Sequence, residues 1–372
     1  MYNKKTLNIV IFGIGNVGGT LIRQIQTSKS RFWEEQNLEL NIPIITNSKL
    51  AFFQQEAISE TWESDFQQFS VPYKISEIIE FVKGKNYENL IAIDATVSAE
   101  FVENYIPLIE NGFNIVSANK VANTLDYSFY ENLRKALREN RKQFLYETNV
   151  GAGLPVIETI RSLYNSGENI SKIRGVFSGS LSYVFNTFSS ENLSFSKVLN
   201  KAATLGLTEP DAREDLSGND VARKLLILAR ELDLKSEFSE VKIQSLVPKK
   251  HLKINAEQFR QRAKELDFPF EELKKGLSEN QVLRYVGELD ISNKTLEVKL
   301  VSEDKNSALG QLKGADSVFE IHTESYGDLP LVIQGAGAGA AVTARGVLSD
   351  VVKLANSLNS GLREPQASII DG

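Results

Sequence analysis

The sequence predicts an α/β protein: a doubly wound parallel sheet in its first half, followed by an α+β arrangement. Three observations predict this. Short apolar, β-rich runs alternate with helix-patterned stretches from Leu7 to Glu147. A glycine-rich turn follows the first of these runs. Beyond Glu147 the alternation gives way to helices, a dense polar segment and four strands of alternating polarity. The 372 residues are comfortable for two domains.

Leu7–Phe12 (LNIVIF) is a short apolar run suited to a buried parallel strand. It leads into Gly13-Ile14-Gly15-Asn16-Val17-Gly18, and Leu21, Ile22 and Ile25 then repeat at helical spacing. Strand, glycine turn and helix are the context in which GxGxxG binds a dinucleotide. Gly13 permits the tight turn, Gly15 lets the backbone approach a pyrophosphate, and Gly18 lets helix and strand pack closely. The helix N-terminus at Asn16 and Val17 then faces the phosphates. Glycine turns of this form also occur with no ligand, so the motif alone is weak.

Leu38–Thr46 reads as the second strand and Leu90–Asp94 (LIAID) as a buried third, with a helix near Ala99–Asn111. Phe113–Ser117 is the next strand, followed by a helix around Ser128–Asn140 and a strand Gln143–Glu147. This is a Rossmann-type sheet, and its functional residues belong at the carboxyl ends of the strands. Thr96, Ser117, Lys120 and Glu147 all sit there. The second strand ends in Thr46-Asn47-Ser48-Lys49, without the carboxylate that usually bonds the NAD ribose. Lys49 either meets a 2′-phosphate or is a solvated loop lysine; the first reading favours NADP(H) over NAD(H).

Composition excludes several chemistries. With no cysteine there is no disulfide, iron–sulfur cluster or cysteine nucleophile. The two histidines, His251 and His322, lie in no motif, which argues against a His-based triad. A net charge of −6 without a basic cluster argues against nucleic-acid binding. No apolar run approaches the roughly 20 residues of a membrane helix. Met1–Lys5 leads into a strand without a signal-peptide core, so a cytoplasmic enzyme is expected.

In the second half, Gly151-Ala152-Gly153-Leu154-Pro155 is a tight turn into a helix at Val156–Tyr164. Ile173–Phe177 is a strand, and Ser178-Gly179-Ser180 opens another helix. Thr208–Asp220 is the densest polar cluster, and the helix Val221–Leu232 follows it. Asp220 and Lys224, four apart, share a helix face, which in isolation reads as a surface ion pair worth about 0.3–0.5 kcal/mol. Two features favour a catalytic reading. The carboxylates of Glu209–Asp220 suit a substrate with an amino group. A hydride-transfer enzyme also needs a proton carrier at the substrate oxygen, and a partly desolvated lysine serves where no histidine is available.

Three segments resemble homoserine dehydrogenase: Ser117-Ala118-Asn119-Lys120, Tyr146–Pro155, and Thr208–Lys224 (TEPDAREDLSGNDVARK). With GxGxxG, Ser178–Tyr183 and Gly335–Leu348, the resemblance spans nearly the whole chain. It runs to the dehydrogenase half of bifunctional aspartokinase–homoserine dehydrogenases, without a kinase segment or an ACT-type domain in this sequence. The resemblance implies reversible NAD(P)-dependent interconversion of L-homoserine and L-aspartate 4-semialdehyde, in threonine and methionine biosynthesis. It implies Lys224 as proton donor and acceptor, with Asp220 beside it. Lys120 is implied at the reacting end and the nicotinamide. Glu209 and Asp215 are implied at the substrate's amino end, with Ser180 near the substrate where threonine is usual. Glu147 with the carbonyls of Val150, Ala152 and Leu154 matches a sodium site; the alternative for Glu147 is a helix-capping carboxylate. Gly337 is implied near the cofactor, the alternative being close packing. Ala212, Glu214 and Asn149 depart from the family pattern in the loops.

The remainder reads as scaffold. Lys235–Leu277 reads as a solvated excursion. Gln281–Asp290 and Lys294–Val301 form a hairpin, with further strands at Ser317–Thr323 and Leu329–Gln334. Such strands leave one apolar face to cover, so a homodimer through the second half is expected; the alternative is that Lys235–Leu277 folds back and covers the sheet within one chain. The expected division is a nucleotide-binding domain over 1–148, a substrate and dimerisation domain over 149–334, and a C-terminal helix over 335–372 returning to the first. Two rivals remain. A semialdehyde dehydrogenase forming an acyl phosphate needs a cysteine, which is absent. A non-catalytic NAD(P) sensor on the same fold is disfavoured by the intact Lys120, Asp220 and Lys224 set.

Overall fold

The computed structural model describes residues 5–54 and 58–360. The tail Glu364–Gly372, expected to fray, lies outside the described residues. By internal contacts the chain forms two compact units. The first takes in the chain up to Asn119, Asn132–Tyr146 and the chain from Ala344; the second takes in Lys120–Glu131 and Glu147–Thr343. Lys120 and Glu147, read from the sequence as ends of strands in the first half, thus pack within the second unit.

The first unit is built on seven strands: β1 (Lys5–Phe12), β2 (Leu38–Thr46), β3 (Leu50–Phe53), β4 (Val71–Pro72), β5 (Leu90–Asp94), β6 (Asn114–Ser117) and β7 (Phe144–Leu145). Their order is β4-β3-β2-β1-β5-β6-β7. The pairs β2-β1, β1-β5, β5-β6 and β6-β7 are parallel, while β3 and β4 add an antiparallel edge. That edge was not anticipated. At β3 the chain is turned back by Asn47, whose side chain accepts the amides of Lys49 (2.8 Å) and Leu50 (2.7 Å).

The helices here are α1 (Asn16–Gln36), α2 (Trp62–Phe69), α3 (Ile75–Gly84), α4 (Ala99–Val102), α5 (Tyr105–Glu110) and α6 (Tyr127–Asn140). The single helix expected over Ala99–Asn111 is in fact α4 and α5. Pro107 has no amide to give to the carbonyl four residues back, so a continuous helix cannot form. The strand expected over Gln143–Glu147 stops at Leu145, because Glu147–Asn149 coils into a 3₁₀ turn. Leu21, Ile22 and Ile25 of α1 join the β1 core, as does the apolar stripe Val347, Leu348, Val351 and Leu354 of the helix Ala340–Ser360.

The second unit carries six strands: β8 (Ile170–Val176), β9 (Lys242–Ile243), β10 (Gln281–Asp290), β11 (Thr295–Asp304), β12 (Asp316–Thr323) and β13 (Leu331–Ala336). Their order is β13-β12-β8-β10-β11-β9, antiparallel except for β9 against β11. Its helices are α7 (Val156–Asn165), α8 (Gly179–Ser190), α9 (Phe195–Thr204), α10 (Ala212–Leu216), α11 (Asn219–Glu231), α12 (Ala256–Arg262) and α13 (Asp267–Lys275).

Two expectations are corrected here. Lys235–Leu277 is packed: Phe259, Leu266 and Phe270 are buried, and the Phe270 ring stacks on Phe195 at 3.8 Å. Among the described residues, most apolar side chains of the sheet are covered within the chain. Gly287 faces Phe177 and Val221, so the odd-numbered side of β10 lies under the helices. On the other side Val176, Val286 and Val318 are covered by Leu309 and Leu312 of the same chain. Beside them are charged pairs, Arg174 with Glu288, Glu320 and Glu303, and Lys299 with Glu288 and Glu297, and at the β13 edge Val332 is exposed.

Candidate active site

The glycine turn of the first unit follows β1. Gly13 takes φ +95°, and a β-carbon there would meet the Ala95 carbonyl oxygen at 2.9 Å. A β-carbon at Gly18 would lie 1.9 Å from the Gly13 carbonyl oxygen, so α1 packs against the turn only because both positions lack one. At Gly15 a β-carbon would meet nothing within 4 Å. The backbone there is open to a ligand at the start of α1, near Asn16 and Val17. This is the fit a pyrophosphate requires.

A buried polar network braces the neighbouring strand ends. The Tyr105 hydroxyl donates to Asp94 Oδ2 (2.7 Å) and lies 2.8 Å from Ser117 Oγ. Asn119 Nδ2 donates to Asp94 Oδ2 (3.0 Å) and to the Ser98 carbonyl (2.9 Å). The Asn119 amide donates to Ser117 Oγ at 2.9 Å, and the Thr96 amide to Asp94 Oδ1 at 2.8 Å. Burial pushes the Asp94 carboxyl up, against the hydrogen bonds from Thr96, Tyr105 and Asn119. Ser117 is fully buried, so its hydroxyl braces the loop from within. Sequence reasoning missed Tyr105 and Asn119, because their link to Asp94 depends on chain crossings that no local spacing reports.

In the second unit, α11 opens after Gly218, which takes φ +77°; a β-carbon there would lie 2.1 Å from the Tyr285 hydroxyl. Asp220 stands in the first turn of α11 and Lys224 one turn on. Lys224 Nζ contacts Asp220 Oδ2 at 2.8 Å and donates to the Phe177 carbonyl, just past β8, at 2.8 Å. Lys120 Nζ lies 3.6 Å from Asp220 Oδ1. The Lys224 side chain is 9% exposed and that of Asp220 46%, so a buried ammonium meets a half-open carboxylate. Burial, aided by the charge of Lys120, lowers the Lys224 ammonium below its ordinary value, while Asp220 opposes the shift. Burial would raise the Asp220 carboxyl, but Lys224 and Lys120 outweigh it and hold it well below the usual range.

The neighbouring acidic loop is ordered by its own carboxylates. Asp215 Oδ1 accepts from Ser180 Oγ at 2.6 Å, and its Oδ2 accepts from the Glu209 amide at 2.9 Å. Burial raises the Asp215 carboxyl, with the Ser180 hydrogen bond opposing. The exposed Glu209 carboxyl is raised by partial burial and by the charges of Asp215, Glu214 and Asp220. Ser180, Glu209, Asp215, Asp220, Lys224 and Lys120 therefore fall in one unit, and the last five are electrostatically coupled.

Glu147 accepts the amides of Ile157 (2.7 Å) and Glu158 (2.9 Å), so it caps the first turn of α7. The turn before α7 carries two successive left-handed residues, Gly151 (φ +79°) and Ala152 (φ +53°), between Val150 and Leu154. Gly337 is required by packing: a β-carbon there would lie 2.0 Å from Ser317 Oγ. Two arginines escaped the sequence reading. Arg213 bonds Asp211 and the carbonyls of His251 and Ile254, tying the acidic loop to the following segment. Arg230 is buried; its signal was a cation at the end of the apolar run LLILAR.

A glycine cradle on a parallel sheet, in a chain that also buries a lysine against a carboxylate, is the equipment of nicotinamide-dependent oxidoreductases. Residues 13–147 match the model of the homoserine dehydrogenase NAD-binding domain, and residues 155–352 that of homoserine dehydrogenase. The chain is 38% identical over 356 residues to the bifunctional aspartokinase/homoserine dehydrogenase of Buchnera aphidicola, covering 95% of this chain and 43% of that one. It thus spans less than half the length of that bifunctional relative. It is 35% identical to the homoserine dehydrogenase of Schizosaccharomyces pombe, covering 96% of this chain and 98% of that one. A crystal structure of a Candida auris protein of unknown function superposes with a TM-score of 0.87 at 34% identity, covering 95% of this chain and 99% of that one. The chain belongs to the homoserine dehydrogenase family.

Proposed function

We propose that this chain interconverts L-homoserine and L-aspartate 4-semialdehyde with a nicotinamide cofactor. The observation that carries this reading is Lys224, buried and held between Asp220 and the Phe177 carbonyl, with Lys120 alongside. The nicotinamide cofactor supplies the hydride acceptor or donor. In alcohol oxidation neutral Lys224 takes the hydroxyl proton as the carbon-bound hydrogen leaves as hydride; in reduction the ammonium returns that proton to the developing alkoxide. A lowered lysine pKa makes both forms accessible. Asp220 orients the ammonium, and Lys120 adds positive charge where the oxygen becomes negative. Glu209 and Asp215 offer carboxylates to the substrate's amino group.

We assign dinucleotide binding to the first unit, through Gly13, Gly15, Gly18 and the helix start, with Thr96 at an adjoining strand end and the buried Ser117 bracing the loop beside it. NADP(H) is the preferred cofactor in this reading: Thr46–Lys49 lacks a carboxylate and Lys49 is exposed. Sodium is assigned to Glu147 and the carbonyls of Val150, Ala152 and Leu154, a hard-oxygen set suited to such a cation. The protein acts as a homodimer, and the supporting feature is the outer strand β13, whose flank exposes Leu329 and Val332. The cytoplasm is its compartment, where soluble nicotinamide pools are available. No described helix is long and apolar enough to cross a membrane.

The test is steady-state turnover of L-aspartate 4-semialdehyde with NADPH and, separately, NADH. The reading expects L-homoserine as product and a higher kcat/KM with NADPH. No turnover by folded protein with either cofactor would overturn it.

A further inference from the structure

Lys120–Glu131 lies between β6 and the body of α6 in sequence, yet packs within the second unit. One side chain of the second unit bonds two of its carbonyls. Arg230, near the end of α11, has a side chain 1% exposed. Its Nη1 donates to the carbonyls of Asn123 (3.0 Å) and Leu125 (2.9 Å). Its Nε and Nη2 donate to the Ser236 carbonyl at 3.2 and 3.0 Å. The guanidinium lies 5.0 Å from the Tyr130 ring centroid and 5.6 Å from that of Tyr127. Glu237 closes the arrangement: it lies 3.4 Å from Arg230 Nη2 and accepts the Tyr127 amide at 2.8 Å.

The bonded carbonyls are close in sequence to Lys120. Val121–Asn123 is a 3₁₀ turn that starts from Lys120, and the Asn123 amide and Thr124 Oγ1 donate to the Lys120 carbonyl at 3.1 and 3.2 Å. Asn123 Nδ2 also donates to Asn149 Oδ1 at 3.0 Å. The turn is thus compact, and its anchor is on the helix that carries Asp220 and Lys224. A guanidinium is suited to this task, because its rigid fork meets several carbonyls at once where an ammonium is a point charge.

We propose that Arg230 is a positioning residue for Lys120: it clamps the Lys120–Leu125 turn to α11 and so sets Lys120 against Asp220 and Lys224. This rests on the reading of Lys120 and Lys224 given above, so the test includes a readout that needs no turnover. The charges coupled to the Lys224 ammonium are Asp220, Lys120 and Asp215, and Lys120 is the one that lowers it. Releasing Lys120 therefore raises the Lys224 pKa.

The Lys224 titration is followed by NMR of carbon-13 lysine-labelled protein in wild type, Arg230→Met, Lys120→Met and the double variant. The proposal expects an upward shift in Arg230→Met and in Lys120→Met, and no further shift when the two are combined. It also expects faster amide exchange across 120–125. With substrate, kcat should fall at least about tenfold in Arg230→Met, since an ångström of misplacement can cost about 10²-fold. Arg230→Lys, which keeps the charge without the fork, is the milder variant should Arg230→Met not fold, and a smaller shift in the same direction is expected. An unchanged Lys224 titration in a folded Arg230 variant, or fully additive shifts, would overturn the proposal. Loss of wild-type turnover would instead strike the functional reading and leave the titration result standing.

Discussion

A lysine in water is an indifferent proton carrier near neutrality because its ammonium is too stable. Lys224 is placed where that stability is reduced. Burial disfavours the charge and Lys120 repels it, while Asp220 restores part of it and fixes the direction of the N–H groups. The sign of each contribution is testable. Asp220→Asn removes the one acidic neighbour in contact with Lys224, so the Lys224 pKa should fall further. The pH limb of alcohol oxidation, which requires the neutral amine, should then move to lower pH while kcat declines. A limb that moves upward would contradict this. Glu209 is different: its side chain is exposed and its amide is held by Asp215, so its carboxylate can meet a ligand without unravelling the loop. Glu209→Gln should raise KM for homoserine several-fold with little change in cofactor affinity, read by steady-state kinetics and cofactor titration.

Among the elements, those with strong periodicity were legible and those set by single contacts were not. β2 and β5 fall on the residues their apolar runs mark, and the β10–β11 hairpin closes at Asp290 and Thr295 as the alternation implies. The return of β3 against β2 was invisible because an Asx turn at Asn47 makes it. The 235–277 segment was misjudged because its charge is high while its anchors are few and widely spaced. Phe270 is the clearest of them, stacked on Phe195 and near Phe185 and Phe188. Phe270→Ala should therefore cost about 3–5 kcal/mol of stability, within the range for a buried phenylalanine truncation. Denaturant unfolding measures it; a loss near zero would return the segment to the solvated surface.

At the scale of the whole molecule, the family was readable because the Thr208–Lys224 run is long and chemically dense. Positioning was not readable. The turn bearing Lys120 packs in the second unit, which depends on Arg230 more than 100 residues away, at a separation of 107 from Asn123. Much of the open side of the second sheet is charged or covered by the same chain, so the proposed homodimer rests on the β13 edge. Light scattering at low micromolar concentration should give about twice the 41.5 kDa of one chain. A single-chain mass with full activity would refute the dimer.

Whether Lys224 carries the proton at the substrate oxygen is decided by the kcat–pH profile of Lys224→Ala beside wild type. Wild type should oxidise homoserine with kcat rising through an apparent pKa below the ordinary lysine value of 10.5. Lys224→Ala should bind cofactor normally, lose roughly 10²–10⁴-fold in kcat, and lose that limb. A Lys224→Ala enzyme that keeps most of its kcat and the same pH limb would contradict the account and place proton transfer on another group.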